Sequence, residues 1–335
     1  MAHSDRLYKK VQVLAQVCLL ALALAMPGCR SGAEGRVIKL AHGLDPTHPV
    51  HRAMVFMARR VAEKSKGRLR IDIYPSEQLG SERECLELLQ IGSLGMTKVS
   101  CSVLEGFVPS VSVLSLPYLF RDEDHLFAVL EGGVGKKLLL EGEKYWLRGL
   151  CFYNAGSRSF YTKIKPILEP ADLAGLKIRT QQSPTSVRML QLLGGSPAPI
   201  AWGELYSALQ QGVVDGAENN PPSFHLSRHY EVCKHYSLDE HTSVPDILLI
   251  STRIWADLSP EFQKIIQQAA DESVEVQKQL WRDATEAAIQ AVEEAGVRIY
   301  RPDKTAFTEK VAPIYEEIKK KPGIDRLVQE IRAVR

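Results

Sequence analysis

The sequence predicts an α/β protein of two lobes, with one long helix near the C-terminus bracing both. Three patterns lead there. Residues 36–101 alternate strand and helix, residues 175–219 repeat that alternation, and apolar residues from Phe262 to Val292 recur with helical period.

"RVIKLAHG" opens the first unit as a strand, and a helix follows from about His51 to Lys66 with Ala53, Phe56, Met57 and Val61 on one stripe. "RLRIDIYP" alternates strictly as a second strand. "SERECLELLQIG" is a second helix, with Ser81 as N-cap, Glu84 closing a capping box and Gly92 as terminator. "MTKVSC" is a short third strand, and this order predicts a parallel sheet with polar groups at the carboxyl ends of its strands. The second unit runs through the strand "GLKIRT", a helix from Ser183 to about Leu193, the strand "SPAPI", the helix "WGELYSALQQG" and the strand "VVDGAEN". Ser259 and Pro260 then start the long helix, which stops at Gly296. At ~1.5 Å per residue it is ~50 Å long, more than one small domain needs.

A length of 335 residues suits two domains of about 150 each. Hydrophobic content of 45% against 24% charged residues belongs to a globular chain that buries real cores. The N-terminus reads as an export signal, "RLYKK" giving the positive region and "VQVLAQVCLLALALAM" the apolar core, interrupted by Gln12 and Gln16 and too short to span a membrane well. Residues 1–28 are therefore assigned to the signal, and the rest of the chain is expected outside the cytoplasm. "MPGC" resembles a bacterial lipobox, which makes Cys29 the candidate acylated N-terminus and a possible membrane tether, although Met26 stands where Leu is usual and "ALA", Ala23 to Ala25, offers a competing cleavage site. Residues 1–28 carry Arg6, Lys9 and Lys10 against Asp5, so the formal charge of +2 falls to zero without them. A neutral chain with no basic block argues against nucleic-acid binding. Cys85, Cys101, Cys151 and Cys233 form no C-x-x-C pair and read as small core residues.

Enzyme signatures fail on counting. "GGVGKK" has Leu130 where a phosphate loop needs Gly, and Lys137 where it needs Ser or Thr. His225 with His229, and His48 with His51, have no acidic or cysteine partner at a metal-site offset, so no metal or cofactor is expected. Polar residues at strand ends are more informative, because separate units each deliver one: Arg158 in "AGSRSFYT", Arg179 in "GLKIRT" and Asn219 in "DGAENN". Guanidinium forks and a carboxamide suit a carboxylate guest. The alternative is that the arginines pair with internal acids such as Glu218 or Glu204. Trp202 offers a stacking face, or is a core or hinge tryptophan; His48, Glu82 and Lys98 stand where they can address hydroxyls, or are simply solvated.

The stretch "GLKIRTQQSPTSVRMLQLLGGSPAPIAWGELYSALQQGVVDGAENNPPSF" resembles the DctP-type substrate-binding proteins of tripartite ATP-independent periplasmic (TRAP) transporters. The similarity continues through "HPVHRAM", "YPSEQLGSERE" and "SLPYLF" and reaches the long helix. It implies a two-lobe, periplasmic-binding-protein-like receptor that closes on an organic anion and hands it to a sodium-driven permease. It also implies discontinuous lobes, residues 36–155 with about 245–284 and residues 156–244 with about 285–335, the chain crossing near Ala155, Val244 and Ala284. By the same resemblance Arg179 binds the ligand carboxylate, with Arg158 and Asn219 beside it. "HPVH", "MTKVS", "EGFVP" and "HYEVCKHYSLDEHTSVPD" look like the branch that takes hexuronates and related sugar acids, which gives His48, Glu82 and Lys98 to ring hydroxyls and Trp202 to the stacking face. Trp202 departs from the Phe frequent at that position.

The ligand alternatives are an aldonate, a keto acid or a sialic acid. A rival of another class is an exported carbohydrate-active enzyme, which needs two carboxylates flanking a bond; Glu82 and Asp246 are the pair available for it.

Overall fold

A computed structural model describes residues 35–334; the predicted signal and the candidate acylation site Cys29 lie outside the described residues. Strands β1 (Arg36–Ala41), β2 (Leu69–Tyr74), β3 (Met96–Ser100), β4 (Leu147–Tyr153) and β10 (Asp246–Ser251) form one sheet in the order β2-β1-β3-β10-β4. The second sheet has the order β11-β9-β5-β8-β6-β7, from β5 (Arg158–Thr162), β6 (Lys177–Thr180), β7 (Ser196–Pro199), β8 (Gly216–Asn219), β9 (His235–Thr242) and β11 (Arg298–Tyr300).

Both sheets are mixed, where strand–helix alternation predicted a parallel one. β1 and β3 are parallel, as are β6, β7 and β8, but β10 lies antiparallel between β3 and β4, and β5 antiparallel between β8 and β9. The cause is the route of the chain. β5 and β10 each enter their sheet from the opposite sheet, across the edge where the parallel strands end, so each runs against them.

Helix α1 (Pro49–Lys64) starts two residues before the expected His51, because His48 caps it and Pro49 fits the first turn. Helix α2 (Glu82–Ile91) follows the sequence signals: both halves of the Ser81–Glu84 capping box form, and Gly92 terminates it with φ of 80°. Helix α3 (Pro184–Leu193) is capped by Ser183, and the short α4 (Pro221–Leu226) by Asn220. Helix α5 (Pro260–Glu294) is the expected long helix of 35 residues, capped by Ser259. It packs against α1 and β4 on one side and α4 on the other, which ties it to both sheets. The C-terminal helix α6 (Pro322–Ala333) returns to pack on the 3-10 helix Pro109–Ser115.

One core lies under α1 and α5, where Met54, Met57, Leu69 and Leu248 are fully buried. Each such side chain contributes about 1.5–3 kcal/mol. A second core is continuous from Leu86 and Val99 through Val111 and Leu114 to Ile178, Leu190 and Phe307. The two sheets are therefore joined by apolar packing as well as by crossing strands.

The crossings are held tightly. Ala155 lies between β4 and β5, and Val244 between β9 and β10. Asn154 exchanges two hydrogen bonds with Gln277 of α5, its N–H donating at 2.9 Å and its carbonyl accepting at 2.8 Å, and both residues are fully buried. Ser157 and Ser243 join the two crossings at 3.0 Å. Gly156 has φ of +56°, and a Cβ there would stand 3.1 Å from the Trp281 indole nitrogen. Gly156→Ala is accordingly expected to lower Tm, with about 1–2 kcal/mol from the left-handed backbone alone. An unchanged melting curve would show that the crossing tolerates a Cβ.

No helix among the described residues is long and apolar enough to cross a membrane. Cys85, Cys101, Cys151 and Cys233 are free and buried, in the core role expected of them.

Candidate functional site

The carboxyl ends of β3, β6 and β8 and the start of β10 converge on one cavity between the two sheets. All seven residues expected at the ligand site line it: Arg179, Arg158, Asn219, His48, Glu82, Lys98 and Trp202. They do not stand there in equivalent ways.

Arg179 follows the buried Ile178 on β6, a central strand paired with β7 and β8, so its backbone is fixed on both sides. The side chain is 3% exposed. Its Nε donates to the Ile200 carbonyl at 2.9 Å, and the guanidinium lies 5.7 Å from the Trp202 ring centroid. No acidic side chain forms an ion pair with it among the described residues, and its Nη1 is buried without a partner. Burial lowers its pKa from the usual arginine value, offset in part by Glu218 and Tyr161. A buried fork oriented by one bond and one ring, with donors left over, is a costly arrangement that an incoming carboxylate would relieve.

Arg158 is different, and here the alternative of an internal acid is what the fold adopts. Its Nε pairs with Glu218 Oε2, and its Nη2 donates to Glu218 Oε1 and to the Glu218 carbonyl, each at 2.9 Å. Only Nη1 turns elsewhere, to Asn219 Oδ1 at 3.0 Å. Behind this pair His241 Nε2 stands 3.5 Å from Glu218, and its Nδ1 is 2.8 Å from Asp239. Burial disfavours charge on His241, but Asp239 and Glu218 outweigh it and raise the imidazole to about 9. Burial likewise opposes the Glu218 carboxylate, yet Arg158 and His241 hold it down at about 2. The result is a buried row of alternating charges that fixes Arg158 and, through it, the Asn219 carboxamide.

The facing wall comes from the first sheet. Lys98 Nζ on β3 lies 3.0 Å from Glu82 Oε1 and 3.2 Å from Asp246 Oδ2 on β10. Glu82, the first residue of α2, also accepts from the Ser100 N–H at 3.2 Å. Burial works against the Lys98 ammonium, but Asp246 and Glu82 overcome it and raise its pKa. Asp246 is pushed up to about 6, by burial first, with Lys98 opposing and Glu82 reinforcing the rise. His48 Nδ1 accepts the Val50 N–H at 3.3 Å, so its proton sits on Nε2, which donates across the cleft to Ser223 Oγ at 3.3 Å. Burial, reinforced by Lys98, lowers His48 to about 3 and keeps it neutral.

The family model for bacterial extracellular solute-binding proteins of family 7, DctP, matches residues 40–321. The chain belongs to this family. A relative within reach of the whole fold is the uncharacterized protein YiiZ of Salmonella typhimurium, 38% identical over 301 residues, spanning 89% of this chain and 92% of that protein. Among solved family structures, a TRAP periplasmic solute binding protein from a Bradyrhizobium species in complex with galacturonate is 40% identical with a TM-score of 0.87, covering 88% of this chain and 99% of that one. A second, from Roseobacter denitrificans with bound β-D-glucuronate, is 35% identical with a TM-score of 0.87, covering 89% and 100%.

The DctP cleft of this chain also contains residues that sequence reasoning did not place there. Gln181 follows β6 directly, and Asn220 and Ser223 follow β8 at the start of α4, so extending the strand-end argument by a few residues would have found them. Trp281 reads in the sequence as one more member of the apolar stripe of α5. Its ring lies 5.8 Å from that of His48 and lines the cavity, which helical periodicity has no means of revealing.

Proposed function

We propose that this DctP-family chain is the extracytoplasmic receptor of a TRAP transporter, that it closes on a hexuronate such as glucuronate or galacturonate, and that it delivers the sugar acid to the membrane permease. The observation that carries the reading is Arg179: a buried, oriented guanidinium with no ion-pair partner among the described residues, in one cavity with the polar side chains of His48, Glu82, Lys98 and Asp246. A uronate has one carboxylate for the first and several hydroxyls for the second. Arg158 and Asn219 complete the acid end, Arg158 chiefly by positioning the carboxamide. His48, Glu82 and Lys98 address ring hydroxyls, and Trp202 packs the sugar face beside the arginine it supports. The bound galacturonate and glucuronate of the two solved relatives favour the same ligand class.

In this reading residues 36–155 with about 245–284 make one lobe and residues 156–244 with about 285–335 the other. A guest that bridges both walls stabilises closure, because the contacts of Arg179 and Lys98 to one molecule coexist only there. Cys29 tethers the exported protein to the membrane. The receptor reading is preferred over hydrolysis because Glu82 and Asp246, the available carboxylate pair, are both spent on one ammonium, 3.0 and 3.2 Å away, instead of flanking a bond.

A thermal-shift panel tests the ligand class. Glucuronate or galacturonate at a hundred times its dissociation constant adds ~2.7 kcal/mol, and a hexuronate is expected to give the largest rise in Tm. A larger rise with an aldonate, a keto acid or a sialic acid would move the assignment to that acid. No rise with any of them would remove it.

A further inference from the structure

The two walls of the cleft differ in charge. Arg179 stands on one without an internal acid, while on the other Glu82 and Asp246 share the single ammonium of Lys98. The side chains of that cluster are 3% exposed at Lys98, 15% at Glu82 and 10% at Asp246, so water screens them little. The cluster carries one more negative than positive charge.

We propose that Asp246 and Glu82 are specificity-determining residues that restrict the cleft to sugar monoacids and exclude diacids of the same length. The proposal rests on the uronate reading and deepens it. A sugar hydroxyl satisfies this wall, since it donates to a carboxylate and accepts from Lys98. A second carboxylate on the guest only accepts. It would face two carboxylates already in place, and the ammonium between them is already neutralised.

Among the described residues of the cavity wall, no other buried cation is free to compensate. Arg158 is held by Glu218, and His48 is neutral. Arg83, at the cavity edge, is half exposed and pairs with Glu87 at 3.3 Å. Burial first, and Glu82 after it, raise Asp246 to about 6, so a further negative charge on this wall would raise it again. Asp246 is the member that topology adds: β10 brings it into register with Ser100, beside Lys98 and far from it in sequence.

Calorimetry of the wild-type chain with galacturonate and glucuronate, and with the aldaric acids galactarate and glucarate, tests the proposal. At pH 8 the aldarates are expected to bind at least ~100-fold more weakly, since either like charges are juxtaposed or Asp246 takes up a proton about two units above its pKa of about 6. Asp246→Asn and, separately, Glu82→Gln keep a hydrogen-bond acceptor for Lys98 and remove one charge. Each is expected to narrow the uronate-to-aldarate ratio by ~10-fold or more. Melting curves of each variant show that it is folded; uronate affinity itself is expected to fall where a hydroxyl contact is lost, and the uronate-to-aldarate ratio alone is read. Wild-type aldarate affinity within ~10-fold of the uronate, or a ratio unchanged in both variants, overturns the proposal. If wild-type protein binds neither class, the uronate reading itself fails and takes this inference with it.

Discussion

Replacing Arg179 by alanine is expected to abolish hexuronate binding in calorimetry while costing the fold much less than the loss of Arg158 does. The two halves of that result have one cause. The guanidinium is buried, donates to the Ile200 carbonyl at 2.9 Å and packs on Trp202, but it forms no ion pair among the described residues, so its removal costs one hydrogen bond and some packing and strands no buried charge. With the guest bound, the same removal leaves a buried carboxylate uncompensated, at a cost of at least ~3 kcal/mol or ~100-fold in affinity. Lysine does not restore it. Arg179 serves Ile200 with Nε and stacks on Trp202 while still presenting its terminal nitrogens, and one ammonium cannot meet all three demands. Undiminished uronate binding by Arg179→Ala would reject it as the anchor.

The place of Arg179 at the cavity was legible in the sequence because a charged residue at the end of an apolar run is unusual and "GLKIRT" reads as a strand without help from the rest of the chain. The long helix was legible for a similar reason: its period, its Ser259–Pro260 start and its glycine stop are all local signals. Arg158 looked the same as Arg179 on paper. Its different fate depends on Glu218, 60 positions further along the chain, whose approach is set by the antiparallel register that puts Ser159 opposite Asn219 and Phe160 opposite Glu218. A strand–helix–strand pattern anticipates no antiparallel neighbour, so the pairing was open until the topology closed it. Asp246 is the same case on the other wall. The sequence offered it as half of a hydrolytic pair, and only the insertion of β10 between β3 and β4 shows that it shares an ammonium with its supposed partner.

Arg158→Ala is expected to act chiefly on the fold, with a large loss of stability before any ligand is added. Arg158 and Glu218 are almost wholly buried and share a fork of hydrogen bonds, so removing the cation strands a carboxylate in the interior. Breaking such a pair costs about 3–5 kcal/mol, or roughly 5–8 °C in Tm at about 2.1 cal/mol/K of unfolding entropy per residue over some 300 residues. A variant melting within ~2 °C of wild type would show that the pair carries little of the fold. The extension through His241 adds a pH signature. Its folded pKa is raised to about 9 from 6.5, so its contribution is fully present below pH 6.5 and is lost as pH rises through 9. Glu218, lowered to about 2 from 4.5, contributes above pH 4.5 and loses that contribution as pH falls through 2. The difference in unfolding free energy between wild type and His241→Gln is therefore expected to be greatest on the acid side of 6.5 and to shrink toward pH 9, while Asp246, titrating in both proteins near 6, cancels from it. A difference that stays flat across that interval would mean that His241 is neutral in the folded chain and that Glu218 is held by Arg158 alone.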